Sequence, residues 1–166
     1  EVAYTRTMRV IGIDPGTGIL GFGVINITRG RVKMITAGVI TTPAHTPLPE
    51  RLEEIYVGLT DIIKETQPDV MSVEKLFFTK NITTAISVAE ARGVAILTGR
   101  QADLPIYEYT PNEIKKSITG YGAAKKLQVQ EMVRIQLGLQ EKPKPDDCAD
   151  ALAAALTHVF MSRLEP

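Results

Sequence analysis

The chain holds one cysteine, Cys148, no tryptophan and two histidines, His45 and His158, among its 166 residues. One thiol closes no intramolecular disulfide, and with two distant histidines it matches no common zinc-ligand spacing. Net charge is missing as well: 19 Lys plus Arg balance 19 Asp plus Glu. No global field therefore draws the chain to a polyanion or a membrane surface, and such contact must rest on local charge segregation. The longest apolar run, Ala151 to Leu156, falls far short of the roughly 18 residues of a membrane span. No secretory leader is visible, so the expected compartment is the cytoplasm. Acids are absent from one whole segment, between Pro15 and Pro49. That gap excludes a tempting motif. Gly16-Thr17-Gly18-Ile19-Leu20-Gly21 has the dinucleotide-binding glycine spacing, but that fingerprint needs an acid about 20 residues on and a helix opening at the glycines. Phe22 to Ile27 is instead a β-type run, and the glycines are better suited to a tight turn and close backbone approach beside Asp14.

What is present describes a folded protein. Hydrophobic residues make up 44% and charged residues 23%, near the globular average and away from the disordered one. The length predicts one domain. Residues 1–7 precede Met8 and read as a non-native extension, leaving 8–166 as the single domain. Arg9 to Asp14 predicts a buried strand ending on an acid and a Pro-Gly turn; Gly21 to Thr28 and Val32 to Thr42 predict a hairpin. A helix is expected over Pro49 to Thr66, a fourth strand over Asp69 to Glu74, and a helix apolar almost all round over Asn81 to Gln101. Pro105 to Tyr109 reads as a fifth strand, and Thr110-Pro111-Asn112-Glu113 has capping-box spacing. Helices over Ala124 to Leu137 and Asp147 to Met161 close the chain. The order predicts an α/β fold with a mixed five-stranded sheet flanked by helices.

Two strands end on acids, Asp14 and Glu74, and the last helix begins Asp146-Asp147-Cys148-Ala149-Asp150. Asp147 and Asp150, at i and i+3, share a face; so, by geometry alone, do Asp146 and Asp150. Capping and the helix dipole account for acids in a first turn, and a turn accounts for Asp14, but neither explains Asp150 or Glu74. Two carboxylates about 4 Å apart repel by about 4 kcal/mol at an effective dielectric of 20, so four meeting at one point call for a cation. All-oxygen ligands select Mg²⁺ or Mn²⁺. Lys115, Lys116, Lys125, Lys126 and Arg134 stand against Glu113 and Glu131 between positions 113 and 134, a local excess that suits a phosphate track. Ile82, Ile86, Ala89, Gly93 and Ile96 recur at spacings of four and three, a small apolar seam suited to a symmetric helix pair. His158 is expected to pack rather than ligate.

At these residues the chain resembles the RuvC family of Holliday-junction resolvases. The resemblance runs from Met8 to Phe160 and is carried by Ile11-Gly-Ile-Asp-Pro-Gly16, Val73-Glu-Lys-Leu-Phe-Phe78, Thr79-Lys-Asn-Ile-Thr-Thr-Ala85, Glu90-Ala-Arg-Gly93, Ile114-Lys115, Gly120-Tyr-Gly122, Lys126-Leu-Gln-Val-Gln130 and Asp147-Cys-Ala-Asp-Ala-Leu152. It implies an RNase H-like fold and a cytoplasmic homodimer that resolves four-way DNA junctions by paired symmetric nicks in recombination and repair. It implies a magnesium site of Asp14, Glu74, Asp147 and Asp150 in each subunit, with two ions, Mn²⁺ substituting, and Asp14 bridging them. It chooses Asp147 over Asp146, leaving Asp146 as a cap. Lys115 and Lys126 match lysines near the scissile strand, Lys126 serving catalysis, and Phe77 matches an aromatic that probes the junction. Hydrolysis without a covalent intermediate and a branch-migration helicase as partner are further implications. Two rivals weigh less: a phosphotransferase of the actin-like superfamily, which needs two such domains, and a non-catalytic junction-binding module, which has no use for four acids.

Overall fold

The computed structural model describes residues 7–75 and 82–162. Strands β1 (Met8–Asp14), β2 (Ile19–Thr28) and β3 (Arg31–Thr41) are followed by α1 (Leu48–Thr66), β4 (Val70–Glu74), α2 (Ile82–Gln101) and β5 (Ile106–Tyr109). Three helices complete the chain: α3 (Pro111–Thr119), α4 (Lys126–Gln136) and α5 (Asp146–Ser162). The five strands form one sheet in the order β3-β2-β1-β4-β5, with β1–β2 and β2–β3 antiparallel and β1–β4 and β4–β5 parallel. The mixed five-stranded sheet read from the sequence is what forms. Arg29 and Gly30, both at positive φ, make the two-residue turn that matches hairpin twist. The glycine run after Asp14 leads straight into β2, with no helix to receive a pyrophosphate.

Strand periodicity sorts the side chains onto two cores. Ile11, Ile13, Leu20, Val24, Met71 and Val73 pack under α1 and α2. Val10, Ile25, Ile27 and Val70 lie on the other face, with α3, α4 and α5. By the same parity Gly12, Asp14, Ser72 and Glu74 belong to the α5 face. Gly12 is paired with Gly23 on one side and Ser72 on the other, so a row of small residues crosses the three central strands. The Ala-rich helix α5 descends onto that row. A Cβ on Gly12 would lie 2.9 Å from the Ala155 Cβ and collide with the Ala151 carbonyl, and the Ser72 hydroxyl donates to the Ala154 carbonyl at 2.6 Å. This close approach carries the start of α5 to the end of β1.

The predicted capping box at α3 is made in full: Glu113 N–H donates to Thr110 Oγ1 at 3.1 Å, and Thr110 N–H to Glu113 Oε2 at 2.7 Å. Two expectations on helices are corrected. Asp146 is no cap: its carboxylate faces the Lys126 ammonium at 3.6 Å, and α5 opens with the Cys148 N–H on the Pro145 carbonyl. Ile96 leaves the predicted seam, because α2 turns it toward the core beneath β1 and β4, while Leu97 continues the exposed stripe.

Candidate active site

Asp14 and Glu74 stand level with each other, since β1 and β4 run parallel with Ile13 opposite Val73. A Cβ on Gly21, the partner of Asp14 in β2, would lie 2.7 Å from the Asp147 carbonyl carbon and 3.0 Å from the Asp147 Cβ. Backbone contact thus fixes Asp147 beside the end of β1. Asp150 follows one turn later, and its carboxylate accepts from Lys126 Nζ at 3.0 Å. Glu74, Asp150, Lys115 and Lys126 line an open cleft of about 290 Å³ floored by Ile114, Val129 and Ala153.

Asp14, Glu74 and Asp150 are raised in a shared field, to which the Asp147 charge adds at Asp14 and Asp150. Burial, then the charges of Glu74, Asp150 and Asp147, push the Asp14 carboxyl up to about 8, with Lys126 pulling the other way. Burial and Asp150 raise Glu74 to about 6 against Lys126, Lys115 and a hydrogen bond with Asp14. Burial also raises Asp150, opposed by the Lys126 bond. For Lys126, burial alone would lower the ammonium's pKa, but its bond to Asp150 and the charges of Asp150, Asp146 and Asp14 raise it. Among the described residues no three acid, histidine or cysteine side chains close on one point as a ready-made cage. The set nevertheless fits a hard divalent cation: the donors are all carboxylate oxygens, they repel one another, and Lys126 is the local counter-charge.

The structure sets Asp14 and Glu74 at neighbouring strand ends and Asp147 and Asp150 within electrostatic reach of Asp14, without closing three of them on one point; Glu74, Asp150, Lys115 and Lys126 share one cleft. Lys116 and Lys125 are exposed on the adjoining turns. Phe77 lies outside the described residues. Arg134 does not join the lysines, because it bonds Glu131 at 2.7 Å and the Leu139 carbonyl at 2.9 Å. His158 is buried and shares a 2.9 Å hydrogen bond with the Tyr109 hydroxyl, as packing requires. Ile82, Ile86, Ala89 and Gly93 are exposed on α2. Arg92 escaped the sequence reading: it pairs with Glu108 at 2.8 Å and donates to the Glu74 carbonyl at 3.3 Å, bracing the end of β4. The available signal was an arginine amid the small and apolar residues Ala89, Ala91, Gly93, Val94 and Ala95 of α2. A larger cavity of about 370 Å³ lies at the opposite pole, lined by Tyr56, Lys64 and Gln101 among others, with no carboxylate.

Acids at the ends of two neighbouring parallel strands, met by a helix on one face of a β3-β2-β1-β4-β5 sheet, define an RNase H-like nuclease. Solved structures bear out the fold. Thermus thermophilus RuvC in complex with a Holliday junction substrate superposes with a TM-score of 0.90 at 36% identity, covering 95% of this chain and 96% of that one. The yeast mitochondrial Holliday junction resolvase shares the fold at 14% identity and a TM-score of 0.68, covering 99% of this chain and 85% of that one. The sequence model of crossover junction endodeoxyribonuclease RuvC matches residues 10–158. The crossover junction endodeoxyribonuclease RuvC of Desulfitobacterium hafniense is 54% identical over 157 residues, 95% of each chain. That of Chloroflexus aggregans is 52% identical over 153 residues, 92% of this chain and 93% of the relative. The chain belongs to the RuvC family of crossover junction endodeoxyribonucleases.

Proposed function

We propose that this chain hydrolyses phosphodiesters at four-way DNA junctions with two Mg²⁺ ions held by Asp14, Glu74, Asp147 and Asp150, and that Mn²⁺ serves in their place. The observation that carries this reading is that Asp14, Glu74 and Asp150 are each raised by burial and by neighbouring carboxylates, the Asp147 charge among those acting on Asp14, beside a cleft lined by two lysines. In the reaction a water oxygen forms the new bond to phosphorus and the P–O3′ bond breaks, leaving a 5′-phosphate and a 3′-hydroxyl. Bound divalent ions supply an activated water and charge stabilisation for the attacking and leaving oxygens. The chain's residues do the rest. Glu74 is braced through its carbonyl by Arg92, and Asp147 and Asp150 are set by the seat of α5 on Gly12 and Gly21. Lys115, which lines the cleft with Glu74, holds the scissile strand. Lys126, now on Asp150, offsets the charge that builds on the phosphoryl group. A synthetic immobile junction, a linear duplex and a single strand incubated with Mg²⁺ provide the test. Symmetric nicking of the junction alone is expected, and equal cutting of the duplex overturns the reading.

Lys126→Ala is expected to lower single-turnover cleavage by about 100-fold or more, the scale of a lost transition-state donor. Junction affinity measured in Ca²⁺ should fall only a few fold. Equal losses in rate and affinity would reduce Lys126 to a binding residue.

Two symmetric nicks need two such sites, and we assign the pairing to α2. Ile82 and Ile86 are 72% and 53% exposed, and nothing lies within 4 Å of where a Gly93 Cβ would stand, so the helix offers a flat apolar face to a second copy. Ala89→Arg should yield monomers in sedimentation and weaken junction binding at least tenfold; a persistent dimer would place the contact elsewhere. A branch-migration helicase is the matching partner for delivery of junctions.

A further inference from the structure

Tyr121 has no part in the chemistry described, yet it is displayed with unusual care. It is 64% exposed, and a lone exposed tyrosine would ordinarily call for no explanation. The backbone around it does. Gly120, at φ 79°, closes α3 through its N–H on the Lys116 carbonyl at 2.8 Å. Thr119 Oγ1 accepts from the Tyr121 N–H at 3.1 Å and donates its one proton to the Lys115 carbonyl at 2.7 Å, with the Tyr121 carbonyl at 3.0 Å as the alternative acceptor. The Tyr121 carbonyl also accepts from the Ala124 N–H at 3.1 Å, two residues before Lys126. Four bonds thus hold a turn whose side chain, among the described residues, makes no hydrogen bond and no ring contact. Lys115 and Lys116 end the helix before it, and Lys125 and Lys126 open the helix after it. Over positions 111–130 the only acid is Glu113, whose carboxylate is committed to the α3 cap.

An exposed aromatic side chain on an ordered turn among cations is what single-stranded nucleic acid uses: backbone phosphates meet the lysines, and an unpaired base stacks on the ring. Because the turn is already ordered, stacking forfeits only the two side-chain torsions. We infer that Tyr121 is a stacking platform for an unstacked nucleobase of the junction strand that crosses the lysine turn toward the active-site cleft. The inference rests on the junction reading and extends it to a residue outside the carboxylate site.

Stacking and phosphate contact respond differently to salt, which makes the test specific. A lysine contact releases counterions and contributes about 0.9 to the slope of log affinity against log salt; a stacked ring contributes affinity with no slope. Junction binding is measured in Ca²⁺ across a KCl series for wild type, Tyr121→Ala, Tyr121→Phe and Lys125→Gln, with melting curves to verify folding. Tyr121→Ala should lose about 5- to 150-fold at every salt concentration on a line parallel to wild type. Tyr121→Phe should stay within about twofold, and Lys125→Gln should give a shallower line. Wild-type affinity in Tyr121→Ala, or equal losses in the Phe and Ala variants, overturns the stacking role while the junction reading stands. Wild type binding the junction no better than duplex overturns both.

Discussion

Asp147→Asn is expected to reduce Mg²⁺-dependent cleavage by at least about 10³-fold, while Asp146→Asn changes it only a few fold. The two residues are adjacent and chemically alike, so the difference comes from placement. Asp147 is held by its own backbone against Gly21, and its charge, unlike that of Asp146, is among those that raise Asp14. Its replacement by Asn keeps the size and removes a ligand charge, several kcal/mol of stabilisation in the transition state. Asp146 has a side chain 63% exposed and meets Lys126 at 3.6 Å, an arrangement that contributes little at a surface. Junction affinity in Ca²⁺ should survive in both variants, because binding is carried by phosphate contacts rather than by the acids. Rates on one junction, with affinities and melting curves alongside, separate the two roles. A dead Asp146→Asn beside an active Asp147→Asn would shift the metal register by one residue.

Legibility in the sequence followed the range of the interaction. The buried apolar runs of β1 and β4, the Thr110 capping box and the hairpin of β2 and β3 are local, and each appears where its residues predict. Those runs end on Asp14 and Glu74, so half of the candidate site is visible at the strand ends, and the parallel register of Ile13 with Val73 sets the two acids level. The other half is long-range. That Gly12, Gly23 and Ser72 form one row, and that α5 sits on it, depends on strand register and on a helix far along the chain, 82 positions on in the Ser72–Ala154 bond. Asp146 misled for a related reason: first-turn acids usually cap, but here the N-terminus of α4 delivers Lys126 to it. Ile96 fitted a four-three spacing that a straight 3.6-residue helix slowly leaves, so the stripe drifts to Leu97 by its fourth turn.

The site also costs stability, and Asp14→Asn should reveal how much. In the metal-free protein, folding raises the Asp14 carboxyl from 3.8 to about 8. Between those two values the folded state holds a proton that the unfolded state has released, so stability falls as pH rises through that window. At about 1.4 kcal/mol for each pKa unit, the loss at pH 8 is on the order of a few kcal/mol, or several degrees in melting temperature for a domain of this size. Glu74, raised to about 6, adds a smaller loss in the lower part of the same window. Wild type without divalent ions should therefore melt lower at pH 8 than at pH 5. Asn cannot ionise, so Asp14→Asn should melt above wild type at pH 8 and converge with it toward pH 4. Millimolar Mg²⁺ at pH 8 should raise the wild-type melting temperature through binding to the folded state, and should move Asp14→Asn much less. KCl at matched ionic strength should move neither, since buried repulsion is poorly screened. Cleavage by Asp14→Asn should be lost throughout. A variant less stable than wild type by the same amount at pH 5 and pH 8 would mean that Asp14 stores no repulsion, and that its acid serves the fold rather than a bound cation.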